Sequence, residues 1–474
     1  MKTENPVNRV WIVGFAGHRR LPDAAGAKAA ITGCLKELQA NLTGTLVGRS
    51  SAAAGADLLF LEACRELGLG YSIVLPFPEE RFQEDFDDPA EWERASALIR
   101  GAASVEIAPG NEVAPEAYHL AAREIIDVCD TMIFLWDGQP ARGIGGTAES
   151  VIESRERGLP VRLIDAQTLV VTPMEGGNPF PWSDRVFTGL PPRTSVRLLF
   201  EELDRRAVHG APRARWFAAG SISLNQIATV ISAVLVAFKL GETAAPVVKF
   251  LIVTTAACLP WVGARFRISD AWTEDRLHAE LLRSLLASHS FAPPLRPFAA
   301  DLFEDDAAFP RSAAWRLIPE RRAWQEERGT YLANRLDDQI SYLVSKGDLA
   351  SRRLKLLWTI FRVASNAAML LGAIAIFAGA SGWQIGEGSN RIWLMFLPTI
   401  LPAVAAWCLA MIPLFEHKRR AKLYGQMAEQ LKRKRTELAE AKCRTTASAV
   451  VASCERLLLT ELWEWAGTRG KRKR

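Results

Sequence analysis

Apolar and polar residues alternate in two different ways along this chain. Up to residue 168, short apolar runs are separated by amphipathic stretches. Arg9–Gly14, Thr45–Val47, Tyr71–Leu75, Met132–Trp136 and Val161–Ile164 read as buried strands. Helical patterns lie between them, over Asp23–Leu42, Asp57–Leu67, Pro89–Arg100, Pro115–Cys129 and Thr147–Arg157. Strands alternating with helices and lacking hairpin signals predict an α/β domain with a parallel sheet covered on both faces.

Beyond that domain the apolar runs lengthen. Phe217–Phe238, Val247–Val262, Thr359–Ala380 and Ile392–Phe415 are each long enough to span a bilayer. They predict an all-α membrane region of four transmembrane helices in two hairpins. Val170–Pro192, rich in Pro and Gly, reads as a linker, and Ser195–Val208 as a short helix. The expected boundaries are therefore 1–168 for the α/β domain and 169–211 for the linker and short helix. A first hairpin follows over 212–290, a cytosolic connector over 291–330, and a second hairpin with its flanking helices over 331–474. Arg213, Arg215, Arg265 and Arg267 flank the first hairpin, while Lys346, Arg352, Arg353, Lys355, Lys418, Arg419, Arg420 and Lys422 flank the second. The outer bends carry only Glu242 and Glu387. The positive-inside rule then places both termini and the connector in the cytosol, with the chain multi-pass in the inner membrane. Trp216, Trp261, Trp358, Trp383 and Trp393 fall near span ends, as an aromatic belt requires.

Composition narrows the chemistry. The 474 residues exceed one ordinary core, and 58 basic against 53 acidic residues leave a formal charge of only +5. Seven cysteines without close pairs give neither a disulfide framework nor a zinc pattern, so no metal is expected. No interleaving of basic and aromatic residues argues for nucleic acid.

In a parallel sheet, ligands sit outside the carboxyl ends of the strands. Three loops at that edge carry the candidate chemistry: Gly14–Arg19, Arg49–Asp57 and Asp137–Glu149. Gly14, Gly17, Gly55, Gly143, Gly145 and Gly146 allow close backbone approach to a phosphate, and the helix after them presents its N-terminus. His18, Arg19 and Arg142 supply positive charge, while Ser50, Ser51 and Thr147 supply hydroxyls. Asp57, Asp137 and Glu149 complete the candidate ligand-binding set. A nucleotide or cyclic nucleotide is the ligand such loops suit, with no further cofactor.

Gly17-His-Arg19, Ser50-Ser-Ala-Ala-Ala-Gly-Ala-Asp57, Leu75-Pro-Phe-Pro78 and Leu135-Trp-Asp-Gly-Gln-Pro-Ala-Arg-Gly-Ile-Gly-Gly-Thr-Ala-Glu149 together resemble the SLOG superfamily. Its members are Rossmann-like domains related to the LOG nucleotide hydrolases and to DNA-processing proteins. The resemblance covers about residues 8–166 and implies binding of a nucleotide or a nucleotide-derived signal. The hydrolases of that superfamily place a glutamate three residues after the threonine of their glycine motif. Here Glu149 follows Thr147 by two, a rotation of about 100° on a helix. That departure leaves phosphate binding intact and argues against N-glycosidic hydrolysis. Glu149 is then expected to hold a ribose hydroxyl or to cap its helix.

Trp272-Thr-Glu-Asp-Arg-Leu-His-Ala-Glu-Leu-Leu-Arg283 after the first hairpin resembles the two-span SLATT effector domains. Tyr331-Leu-Ala-Asn-Arg-Leu-Asp-Asp-Gln-Ile-Ser-Tyr342 before the second resembles them too. The resemblance implies two such units in tandem, over about 212–290 and 320–465. It also implies a membrane effector of prokaryotic antiviral defence, switched by a nucleotide-derived second messenger and acting on the lipid bilayer as a homo-oligomer. Asn225, Gln226, Arg362 and Asn366 are candidates to line an aqueous path. The alternative is a membrane-tethered nucleotide N-glycosidase or phosphoribohydrolase, with Glu149, Asp137 and Asp57 as its acid–base groups.

Overall fold

A computed structural model describes residues 8–109, 114–140, 145–176, 194–237, 244–298, 302, 307–381 and 389–467. The chain divides into two compact units. The first comprises Met1–Phe200, Leu281–Glu327 and Ala447–Trp463; the second comprises Glu201–Glu280, Arg328–Thr446 and Glu464–Arg474.

The first unit is built on six parallel strands: β1 (Val10–Gly17), β2 (Thr45–Ser50), β3 (Gly70–Leu75), β4 (Ser104–Ile107), β5 (Thr131–Trp136) and β6 (Val161–Asp165). Their spatial order is β4-β3-β2-β1-β5-β6. The helices between them are α1 (Ala24–Asn41), α2 (Ala56–Glu66), the one-turn α3 (Glu79–Phe82), α4 (Pro89–Gly101), α5 (Ala114–Ile126) and α6 (Thr147–Glu156). This parallel α/β region is consistent with a Rossmann-like fold. Strand periodicity sorts the core: Val13 and Phe15 point into one hydrophobic layer, Val10 and Ile12 into the other. Helix α1 starts where Asp23 accepts from the Gly26 N–H at 2.9 Å, and buries Ala27, Ile31, Cys34 and Leu35 along one face.

Three strands differ from the sequence expectation. The glycine turn expected at Phe15–Gly17 continues β1, and Gly48–Ser50 continues β2. Both extensions lie in register beside neighbours, Gly14 opposite Arg49 and Gly17 opposite Leu135, so ladder pairing overrides local turn propensity. Strand β4 was not expected at all. It has four residues, Val105 and Ile107 are exposed, and its alternation is too short to register as a pattern. At the opposite edge, part of the expected linker returns against β6, with Thr172 donating its N–H to Leu163 O at 2.9 Å and Glu175 exchanging bonds with Val161. That return pairs an otherwise open sheet edge. Residues 177–193 lie outside the described residues.

The stretch expected as a connector supplies part of this unit's floor. Leu295 is fully buried in the layer that holds Val10, Ile12 and Met132. On helix α10 (Ala308–Leu317), Ser312 accepts the Val10 N–H at 3.0 Å. Trp315 packs so tightly on Gly70 that a side chain there would meet its ring at 2.6 Å. Arg311 donates to Val128 O and stands 3.7 Å from the Asp130 carboxylate, as does Arg9. Burial pushes the Asp130 carboxyl up, opposed by Arg311, the Ile12 N–H and Arg9.

The second unit draws on α7 (Val196–Ala237), α8 (Ala244–Arg265), the first part of α9 (Ile268–Ser288), the end of α11 (Trp324–Tyr331), α12 (Asp338–Ala380), α13 (Ser389–Leu414) and α14 (His417–Glu440), whereas most of α15 (Arg444–Gly467) belongs to the first. A π-helical turn, Leu332–Asp337, joins α11 to α12. Among the described residues three stretches are long and apolar enough to cross a membrane: Pro246–Arg265, one within Trp324–Ala378 and one within Phe396–Glu440. The first of the four expected spans is not among them. The expected first span forms one continuous helix with the expected short helix, and its apolar part, Ala219–Leu235, falls short. Ser221, Ser223, Asn225, Gln226 and Thr229 dilute it, and Phe238 lies outside the described residues. Helix α12 has 43 residues, about 65 Å at the standard rise, so roughly half of it projects beyond a hydrocarbon layer of about 30 Å.

Candidate functional site

Strand order locates the site. Connections from β1 run outward through β2 and β3 to β4, then return across β1 to β5. The loops leaving β1 and β5 therefore diverge, and a crevice opens between them at the carboxyl edge, the topological switch point of an open α/β sheet. A cavity of about 870 Å³ lies there.

Its β1 wall is set by backbone packing. Gly17 sits so close to α2 that a Cβ would lie 2.6 Å from that of Ala56. The Gly17 N–H donates to Asp57 Oδ1 at 3.2 Å, and Ser51 Oγ donates to Asp57 Oδ2 at 2.6 Å. Asp57 thus ties the β1 loop to the β2 loop from the first turn of α2. Burial pushes its carboxyl up, offset by the donors around it, the Ser51 hydroxyl first and the Gly17 N–H among them. Gly55, at φ +87°, has no room for a side chain, because a Cβ would meet Arg19 O at 2.2 Å. Its N–H donates to Glu91 Oε1 at 3.0 Å.

The β5 wall begins at Asp137. His18 Nε2 lies 3.0 Å from the Asp137 N–H and 3.1 Å from Asp137 Oδ1. A neutral ring nitrogen accepts the first contact and a protonated one donates to the second, so the tautomer selects the partner. Asp137 Oδ1 also accepts from the Gln139 N–H at 3.0 Å. Past the turn, Gly145 takes φ +82° and its N–H donates to Glu149 Oε2 at 2.7 Å. Gly146 is the N-cap of α6, and Gly145, Gly146 and Thr147 all face the cavity.

Of the expected binding set, the structure gathers Gly17, His18, Arg19, Ser51, Asp57, Asp137, Gly145, Gly146 and Thr147 around one cavity. Gly14, Ser50, Gly55 and Glu149 stand behind its surface. Gly14 is packed beneath Met132, where a Cβ would lie 2.1 Å from its sulfur, and Ser50 is fully buried. Arg142 and Gly143 lie outside the described residues.

Sequence reasoning missed Tyr118, Trp136, Gln139 and Arg20, which also line the cavity. Tyr118 comes from α5 rather than from a loop. Its hydroxyl donates to Asp85, the Arg19 guanidinium sits 5.3 Å over its ring, and Phe77 meets it edge-on at 5.6 Å. Burial and Asp85 push its hydroxyl up. A polar aromatic in an otherwise apolar helical stripe was the available signal. Among the described residues no group of three or more His, Cys, Asp or Glu side chains is placed to hold a metal.

Within the second unit, Ser221 Oγ donates to Ala256 O at 2.7 Å and Trp407 Nε1 to Ser223 Oγ at 3.0 Å, so the helices of the two expected hairpins bond to one another. Two similar joints recur. Gly210 receives Trp272, whose Nε1 donates to Ala207 O at 3.0 Å, and Gly347 receives Tyr424. Each returning helix also begins after a left-handed residue, Arg267 at φ +48° and Glu416 at φ +54°. Arg435 holds Asp337 through two bonds of 2.5 and 3.0 Å, fixing α14 against the π-helical turn. Asn225, Arg362 and Asn366 are exposed on the surface of the single chain, and Gln226 is half-buried.

No curated protein matches the chain. Over the second hairpin, with the π-helical turn before it and α14 and most of α15 after it, residues 331–465 match the model of the SMODS and SLOG-associating 2TM effector domain 1, SLATT_1.

Proposed function

We propose that this protein is a membrane effector whose α/β unit senses a nucleotide-derived second messenger, and that the bound messenger switches the helical region to perturb or perforate the inner membrane. The observation that carries the reading is the coincidence of two things in one chain. A cavity at the switch point is lined by His18, Arg19, Arg20 and the Gly145-Gly146-Thr147 helix start. A two-span effector domain follows at residues 331–465. That family of effector domains associates with SLOG, which supports a SLOG-like identity for the sensor and a role in antiviral defence.

Cationic side chains at one wall and helix-start N–H groups at the other suit a phosphorylated ligand. Tyr118 and Trp136 offer ring faces for a base. In the membrane, α7 supplies the fourth span, and both termini stay cytosolic. The exposed Asn225, Arg362 and Asn366 are covered by equivalent helices of other copies, since polar groups facing lipid are costly. The first hairpin, with its matching glycine–aromatic joint and left-handed break, acts as a second unit of the same build.

Calorimetric titration of the full chain in detergent tests the sensor reading. The panel is nucleoside monophosphates, cyclic di- and trinucleotides and NAD-derived cyclic nucleotides, each recovered and checked for breakdown. Binding at micromolar affinity or tighter, with the ligand intact, is the expected result. Release of base would make the protein a nucleotide N-glycosidase instead, and absence of binding would remove the sensor.

A further inference from the structure

We propose that α12 pairs, parallel and in register, with α12 of a second copy of this chain, along a seam that runs from the cytosol into the bilayer. The proposal rests on the membrane reading above and is independent of the nucleotide. Tyr342, Leu349, Leu356, Val363, Leu370 and Phe377 recur every seven residues along α12, and all six are exposed, from 41% at Leu349 to 68% at Phe377. Three places after them come shorter or polar side chains, Thr359, Asn366 and Ala373 among them, which are exposed as well. Alternating steps of three and four residues are the a/d pattern of a coiled-coil seam. The helix already packs at this period within the chain. Its buried Leu343, Ala350, Ala364 and Ala378 are also spaced by seven or by twice seven, on the side where Gly347 receives Tyr424 of α14. One heptad face is thus used inside the chain, and the other is left open among the described residues.

Lipid cannot cover the whole of that open face. Asp348, Arg352, Arg353 and Lys355 keep the first half of α12 out of the hydrocarbon layer, so Tyr342 and Leu349 stand in water. Every copy inserts in the same orientation, which brings neighbouring α12 helices together parallel. The charges beside the seam select the same pairing. In a parallel two-stranded coil, the residue just before an a position meets the residue five places further on in the partner helix. With Leu349 at an a position, Asp348 meets the second copy's Arg353, and symmetry makes this attraction twice. Both side chains are exposed. Arg352 and Asn366 fall within the seam itself, where polar residues lower stability and fix the register.

Oxidative cross-linking of the full chain in membrane vesicles, without added nucleotide, tests the seam. Leu349→Cys and Leu356→Cys are each expected to give a disulfide-linked dimer, because equivalent seam positions face each other across the pair. Wild type sets the background from the native cysteines, and Val344→Cys, exposed but off the seam, sets that from random collision. Adding Asp348→Arg to the Leu349→Cys chain should slow dimer formation about two- to thirtyfold, the range for two exposed ion pairs. Adding Arg353→Asp as well should restore it, which a mere loss of helix stability would not allow. Dimer formation no faster at Leu349 and Leu356 than at Val344, or indifference to Asp348→Arg, overturns the seam. An adduct of any mass other than two chains would name a different occupant and overturn it too. Loss of the wild-type chain from the membrane pellet on alkaline extraction would instead overturn the membrane reading beneath it.

Discussion

The two units treat polar groups in opposite ways. In the α/β unit, charge that enters the interior finds a partner within the unit: Arg49 is fully buried and bonds Glu106 at 2.8 Å and Ser72 at 3.1 Å, and Arg162 holds Glu37 through two bonds of 2.7 and 2.9 Å. In the helical unit many large apolar side chains of the long helices face outward, Ile376 at 75% and Met369 at 65% exposure, and Asn225, Arg362 and Asn366 face outward with them. The first arrangement completes itself, as a water-soluble fold must. The second is complete only when lipid covers its apolar surface and other polar groups cover its polar one. On the function proposed above, a sensor finished alone and a membrane region that is not are what a ligand-switched assembly would require.

The contrast is sharpest in paired truncations. Leu295→Ala removes a fully buried side chain from the α/β floor, and a loss of about 2–5 kcal/mol in unfolding free energy is expected. Ile376→Ala, on an outward face of α12, is expected to change stability by about 0.5 kcal/mol or less. Chemical denaturation of the full chain in detergent measures both; comparable losses would break the contrast.

Next in size is Gly17→Ala. Its methyl would collide with Ala56, costing about 1–3 kcal/mol through overpacking, and ligand binding should be lost while membrane insertion is kept. Protease protection of the spans reads the second part.

Asn366→Leu tests the unfinished surface. The substitution removes a polar group that other copies are expected to bond, at about 0.6–2 kcal/mol per contact. The oligomer seen by native mass spectrometry should weaken without loss of the folded chain.

The smallest effect is a pH dependence just past the end of α9. His289 Nδ1 donates to Leu286 O at 3.0 Å, and burial holds the ring below its ordinary 6.5, with Arg321 adding to the shift. The folded state therefore takes up the proton less readily than the unfolded chain, so this contribution is present above pH 6.5 and declines as pH falls below it. The thermal midpoint should drop between pH 7 and pH 5.5, and His289→Gln should flatten that drop.

Much of this architecture was legible in the residues. Runs such as Tyr71–Leu75 and Thr131–Trp136 are strands because both faces are covered, and a continuous apolar run reports that directly. Asp23 marked the start of α1 by its capping chemistry. What stayed hidden depends on distant partners. The ends of β1 and β2 look like glycine turns until Gly14 and Gly17 are seen pressed against Met132 and Ala56. Leu295 and Ser312 carry no local sign that they close a floor beneath Val10. Likewise, three glycine loops announced a carboxyl-edge site, but Tyr118 reaches it from a helix whose pattern speaks only of burial.

Flux through reconstituted vesicles tests the central claim most directly. Full-length protein in liposomes loaded with a self-quenching dye would be given each nucleotide that binds the purified chain. The account predicts release only with a binding nucleotide, recovered intact, and none from the Gly17→Ala protein. Release without any nucleotide, or cleavage of the nucleotide with no release, would contradict it.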